Sequence, residues 1–97
     1  MVGIERHPKV RLPDGGVVHP DLGVPAIGLY IEVDHHTWHT QSADVEYDKR
    51  RDRALRISGA DVERVPTSQI EAELGHVVND LMLRYHQRRA QVGVQVR

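Results

Sequence analysis

GLYIEVDHHTWHT, residues 28–40, begins as a half-buried strand and ends in a cluster of three histidines. Positions 29, 31 and 33 are aliphatic, whereas Glu32 and Asp34 fall on alternate positions. Because successive strand residues point to opposite faces of a sheet, the two carboxylates share the face away from the aliphatic side chains. The pattern predicts a strand over residues 29–34 with one apolar face and one acidic face.

Two shorter strands are predicted upstream. Residues 9–12 form the first and residues 17–24 the second, with the turn sequence Pro-Asp-Gly-Gly at 13–16 between them. Pro20 cannot donate a ladder hydrogen bond, so the second strand has an edge, a bulge or an end there. A further turn at 25–28 leads into strand 29–34, and three strands joined in this way indicate an antiparallel meander.

Downstream the pattern becomes helical. Ser42 is an N-cap candidate, acids precede bases along the segment and Gly59 ends it, an order that suits the helix dipole. Residues 61–65 form a fourth strand. A last helix, capped by Thr67 or Ser68, has apolar positions at Ile70, Leu74, Val77, Val78, Leu81 and Tyr85. The order β-β-β-α-β-α predicts an α/β fold with a mixed sheet, in which the strands joined by the first helix run parallel.

The composition predicts one domain over residues 1–97, with flexible ends at 1–8 and 91–97. The sequence has no cysteine, which excludes disulfides and thiolate metal sites. No apolar run approaches the roughly 20 residues that span a bilayer, and no signal-peptide pattern is present. We therefore expect a cytoplasmic protein without a membrane partner.

The charge is divided unevenly along the chain. Residues 1–47 carry three basic and seven acidic side chains, a net charge of −4, and residues 48–97 carry ten and seven, a net charge of +3. Such a division suits a metal-gathering cluster beside an anion-binding surface. The alternative is that these charges only line solvated helix faces.

The carboxylates have spacing that suits a metal ion. Glu32 and Asp34 lie roughly 6.5–7 Å apart along a strand and repel one another unless a cation lies between them. Asp21 reaches the same place if its strand pairs with theirs, and the carbonyl of Val33 offers another oxygen. Such ligands suit Mg2+ or Mn2+, which can activate water against a phosphodiester. The alternative is that Glu32 and Asp34 only line a solvent-exposed face.

Several short motifs follow one another in a defined order. Pro20-Asp21 comes about ten residues before IEVD (31–34), and a histidine, D-x-x-R-D-x-x-L (48–55) and G-x-x-V-x-R (59–64) follow. Over roughly residues 10–90 this set resembles the small endonuclease-like domains related to very short patch repair nucleases, which belong to the PD-(D/E)XK restriction-endonuclease-like superfamily.

The resemblance implies a restriction-endonuclease-like core lacking the usual first helix, and a metal-dependent DNA endonuclease with Mg2+ or Mn2+ as cofactor. Asp21 and Glu32 would be the metal-binding acids, together with the Val33 carbonyl. Asp34 stands where many members have lysine, and Arg51 would supply that positive charge if its helix face turns toward the strand ends. His39 would be a general acid/base or position water. The alternative function is a catalytically inactive nucleic-acid-binding or protein-interaction module with the same fold.

Partners are predicted from the remaining features. The candidate contacts to DNA phosphates are Lys49, Arg50, Arg53, Arg64, Arg88 and Arg89. For any one of them alone, a solvated surface role is the favoured alternative. His35, His36 and His39 could alternatively form a transition-metal site.

Without a first helix, the apolar face of strand 29–34 is expected to stay partly exposed and to be covered by a homodimer or by a partner chain that supplies the helix. Otherwise the last helix and the tail fold back over it.

Overall fold

The fold is a four-stranded mixed sheet with a separate hairpin and two helices, in a computed structural model that describes residues 3–35 and 42–96, with side chains for 3–35 and 46–93. The elements in these ranges are β1 (Glu5–Arg6), β2 (Val10–Arg11), β3 (Val17–Val18), β4 (Leu22–Val24), β5 (Leu29–Asp34), α1 (Ser42–Ile57), β6 (Asp61–Pro66) and α2 (Thr67–Val96). A turn of 3-10 helix, Pro25–Ile27, joins β4 to β5.

The sheet has the strand order β1-β4-β5-β6. β4 is antiparallel to both β1 and β5, whereas β5 and β6 run parallel, from the Leu29–Asp61 pair to the Asp34–Pro66 pair. The predicted mixed sheet with two helices and a parallel crossover is therefore confirmed.

The predicted three-stranded meander is wrong in its first half. The β2–β3 hairpin pairs only with itself in the described sheets, and segment 17–24 divides into two strands on either side of Pro20, which has no N–H to continue a ladder. The place beside β4 is taken by β1, where Glu5 pairs with Gly23. Part of the 1–8 end that was expected to be flexible is thus a strand, and α2 continues through the start of the expected tail to Val96.

Both faces of the sheet are covered. The side chains of Leu29 and Ile31 pack under α2, against Tyr85 and Val77 respectively. On the other face, α1 and the hairpin enclose a cluster of Val10, Tyr30, Leu55 and Val62. The expectation that the apolar face of β5 stays partly exposed holds only for Val33, which is half-buried, because Leu29 is 0% and Ile31 2% exposed. The alternative, that the last helix covers this face, is confirmed.

Helix α2 changes direction at Glu73, whose backbone angles (φ −143°, ψ 44°) are not helical. Leu74 and Val78, which were expected on the apolar stripe, are 57% and 48% exposed. Because of this kink, the predicted row of apolar residues does not stay on one side of the helix. The residues of α2 that contact the sheet include Val77 and Tyr85. No helix within the described ranges is long and apolar enough to cross a membrane.

Candidate functional site

Glu32 is the buried acid at the centre of the site. Strand alternation places it with Tyr30 on the face that α1 covers, and only 6% of the residue is exposed. Arg51 of α1 brings Nη1 to 2.6 Å from Glu32 Oε1. No donor among the described residues is aligned for a hydrogen bond to that buried oxygen. The Arg51 contact therefore compensates the charge of the Glu32 carboxylate.

Asp21 immediately precedes β4, the strand next to β5, and lies beside Glu32. The β4–β5 register pairs Leu22 with Ile31, and one further step places Asp21 opposite Glu32 on the same face. The Val33 N–H donates to Asp21 Oδ2 at 2.7 Å, which fixes the carboxylate at the edge of β5. The structure thus brings together the two acids that the sequence assigned to a metal.

The carbonyl of Val33 lies at the same edge. A strand residue that pairs through its N–H presents its C=O to the same side, so the Val33 oxygen lies on the side of Asp21. The register places Pro20 opposite Val33. Because proline has no N–H, it cannot donate a ladder hydrogen bond to this carbonyl.

Helix α1 turns the face that carries Asp52 and Leu55 toward the sheet. Asp52 and Leu55 are buried, and Arg51 is half-buried. Arg64 of β6 donates from Nε and Nη2 to the two carboxylate oxygens of Asp52, at 2.8 and 3.1 Å, and its Nη1 lies 3.8 Å from Asp48. The β5–β6 register places Arg64 next to Glu32. These bonds raise the pKa of Arg64 above its ordinary value, so it stays charged.

We call these six side chains the Glu32 cluster: Asp21, Glu32, Asp48, Arg51, Asp52 and Arg64. Four carboxylates and two guanidinium groups give it a charge of −2 when all are ionised. Burial is the largest influence on the Glu32 carboxyl and raises its pKa above 4.5, Asp21 raises it further, and Arg51 and Arg64 oppose the increase. The cluster is therefore electrostatically suited to one more cation.

The donor set fits a hard divalent cation better than a transition metal. No group of three or more His, Asp or Glu side chains in the described part of the chain is arranged to hold a metal ion. Mg2+ needs only one or two carboxylates, with waters and substrate oxygens filling the remaining positions. The buried Glu32 oxygen, the Asp21 carboxylate and the Val33 carbonyl meet that requirement, and Arg51 lies against the first of them.

The other residues predicted for this region are divided between several places. Asp34 is half-buried at the end of β5, and its carbonyl accepts a hydrogen bond from Thr67 Oγ1 at 3.0 Å. His35 is exposed. His36, Trp38 and His39 lie outside the described residues, so the structure does not place them.

The predicted phosphate contacts do not form one surface. Lys49, Arg50 and Arg53 are exposed on the side of α1 that faces away from the sheet, and Arg89 is exposed on α2. Arg64 belongs to the Glu32 cluster. The Arg88 side chain donates to the carbonyls of Ile27 and Gly59, which follow β4 and α1, so it joins two connections at the other end of β5 and β6.

The sequence did not lead us to expect that Arg64 and Arg84 form ion pairs within the fold. Arg84 pairs with Asp61 and, at 2.7 Å, with Glu63. Arg64 is two positions after buried Val62, so its side chain lies on the same inward face of the strand. Strand alternation alone could therefore have predicted that Arg64 points into the fold. Asp52 could then have been recognised as its partner on the inward face of α1.

Comparison with protein-family models, curated proteins and solved structures found no match to this chain.

Proposed function

We propose that the Glu32 cluster binds a divalent cation and that the chain is a metal-dependent endonuclease-like domain acting on DNA, with a restriction-endonuclease-like core that lacks the first helix. The observation that supports it best is the buried, unsatisfied Glu32 Oε1 beside Asp21. Two carboxylates that are close enough to interact in a buried site are costly unless a cation compensates them.

Each residue has a defined part in this proposal. Asp21, held by the Val33 N–H, and Glu32 present carboxylate oxygens, and the Val33 carbonyl adds a neutral oxygen. A bound Mg2+ or Mn2+ supplies Lewis-acid chemistry at a phosphoryl oxygen and activates water. Asp52 holds Arg64 beside Glu32. Arg51 offers its guanidinium to a phosphate oxygen, in place of the lysine that many members of the superfamily have at the position of Asp34. His39 remains the predicted general acid/base.

The test compares isosteric variants on plasmid and single-stranded DNA with Mg2+ or Mn2+. Asp21→Asn and Glu32→Gln should each lower cleavage at least about 100-fold, the usual cost of losing one charge-stabilising group in an active site. Glu71→Gln, on an exposed part of α2, is the matched control and should cleave like the wild type. Equal cleavage by all four proteins would mean that a contaminant is responsible.

A catalytically inactive DNA-binding module is the second candidate. It is favoured by the outer face of α1, where Lys49, Arg50, Arg53 and Arg56 are exposed independently of the Glu32 cluster. Wild-type protein that binds DNA in a salt-sensitive manner but cleaves neither substrate would support this module and contradict the endonuclease.

A further inference from the structure

The guanidinium of Arg51 lies where a metal ion would contact Glu32. Its Nη1 is 2.6 Å from Oε1, and both side chains are largely withdrawn from water, at 17% and 8% exposure. The same oxygen has no aligned hydrogen-bond donor among the described residues. A cationic group at this distance compensates the carboxylate charge even where its N–H is poorly aligned with the oxygen.

The second guanidinium of the cluster is held in a different way. Arg64 makes two aligned hydrogen bonds to Asp52 and lies near Asp48. Such a bidentate pair fixes the orientation of the side chain. Arg51 Nη1 approaches Glu32 Oε1 without an aligned hydrogen bond among the described residues. Arg51 is therefore the guanidinium that can leave while Arg64 stays.

We propose that Arg51 takes the place of the divalent cation on Glu32, and that the cation binds only when Arg51 moves away. This inference rests on the proposed function, because it requires Glu32 to be a cation ligand. Two cations cannot both contact one buried oxygen without strong repulsion. After it leaves Glu32, Arg51 remains attached to α1 beside the site, where its planar guanidinium suits a phosphate group. The cation therefore binds Glu32 and the phosphate binds Arg51, so that both partners of the ion pair gain a ligand when the pair separates. Binding of the cation then favours binding of the phosphate, and the reverse.

The first experiment measures Mn2+ binding by the electron paramagnetic resonance signal of free Mn2+. Arg51→Met should bind Mn2+ at least about fivefold more tightly than the wild type, the lower end of usual coupling between two ligands. Arg11→Met removes the same charge from an exposed position on β2 and is the matched control, with unchanged affinity expected. Equal or weaker Mn2+ binding by folded Arg51→Met overturns the inference and leaves the cation site standing. Failure of every protein to bind Mn2+ overturns the proposed function as well.

A second measurement uses the wild-type chain and does not depend on whether a variant folds. The Nε–Hε group of Arg51 should be ordered in 15N relaxation experiments without Mg2+ and become mobile at saturating Mg2+. The Nε–Hε group of Arg64, bonded to Asp52, should stay ordered in both states. An Arg51 signal that stays equally ordered while Mg2+ shifts the Asp21 and Glu32 carboxyl resonances contradicts the exchange of Arg51 for the cation. Unchanged carboxyl resonances contradict the site itself.

Discussion

Tyr30 is the residue at which the hairpin, α1 and β6 meet. It is buried in one cluster with Val10, Leu55 and Val62. Its ring lies so close to Gly23 that a Cβ there would be 2.5 Å from Tyr30 Cδ1. Burial raises the pKa of the Tyr30 hydroxyl above 10.0, and the nearby Glu5 raises it further. The environment of Tyr30 therefore favours the neutral phenol over the charged phenolate.

Tyr30 should therefore make stability fall at alkaline pH. Between 10.0 and its higher folded pKa, the native state keeps a proton that the unfolded chain has lost, so the free energy of unfolding decreases as pH rises. Tyr30→Phe should reduce that slope in denaturant unfolding from pH 8 to 11. Tyr47→Phe, at an exposed position of α1, is the control and should keep the wild-type slope. Parallel curves for Tyr30→Phe and the wild type would contradict the prediction.

At the scale of elements, one side-chain pair joins α1 to β6. The Asp52–Arg64 pair connects the inward face of the helix to the edge strand, and both side chains are partly or largely buried. Its position beside Glu32 makes it a support for the site as well as for the packing of α1.

Breaking this pair should destabilise the fold measurably. Asp52→Ala leaves Arg64 without its two hydrogen bonds and should lower the free energy of unfolding by about 2–3 kcal/mol. Asp80→Ala removes an exposed acid near His76 and should cost about 0.5 kcal/mol or less. A double-mutant cycle with Arg64→Ala measures the coupling directly. Coupling near zero would mean that the pair does not join the two elements energetically.

The sequence predicted best the elements that have a strong period or clear ends. Strand β5 was predicted from alternation at residues 29–34, and Gly59 marked the end of α1 correctly. Strand β1 has two residues, too few to show a period, and pairs through Glu5 with Gly23. The kink at Glu73 has no proline, and Gly75, two positions later, is a weak signal that does not fix where the helix bends. The acids Asp21 and Glu32 were predictable from type and spacing, but the Arg51 contact depends on how α1 packs, which spacing does not give.

For the whole molecule, the coverage of both sheet faces changes the expectation of a dimer. The homodimer was predicted from an exposed apolar face on β5, but Leu29 and Ile31 are buried under α2. The exposed apolar side chains now include Leu74, Val78 and Leu83 on α2 and Ile57 on α1. Single exposed aliphatic residues are ordinary on a protein surface and do not by themselves require a partner.

We therefore expect the chain to sediment as a monomer of 11.0 kDa at micromolar concentration. Sedimentation equilibrium with wild type gives the mass, and Leu74→Gln combined with Val78→Gln serves as the comparison. A wild-type mass twice this value that falls to 11.0 kDa in the double variant would instead identify α2 as a dimer surface. That result would support the predicted homodimer, although through a different face.

The dependence of the early strands on the last helix has a consequence for synthesis. Arg88 Nε bonds to the Ile27 carbonyl across 61 positions of the chain, and Tyr85 packs on Leu29. β4 and β5 are synthesised well before these partners. One face of the nascent sheet therefore keeps its apolar side chains exposed to water, and prone to aggregation, until α2 emerges. Pairings so distant along the chain also form slowly. The sheet is thus expected to complete its folding only after α2 has been synthesised.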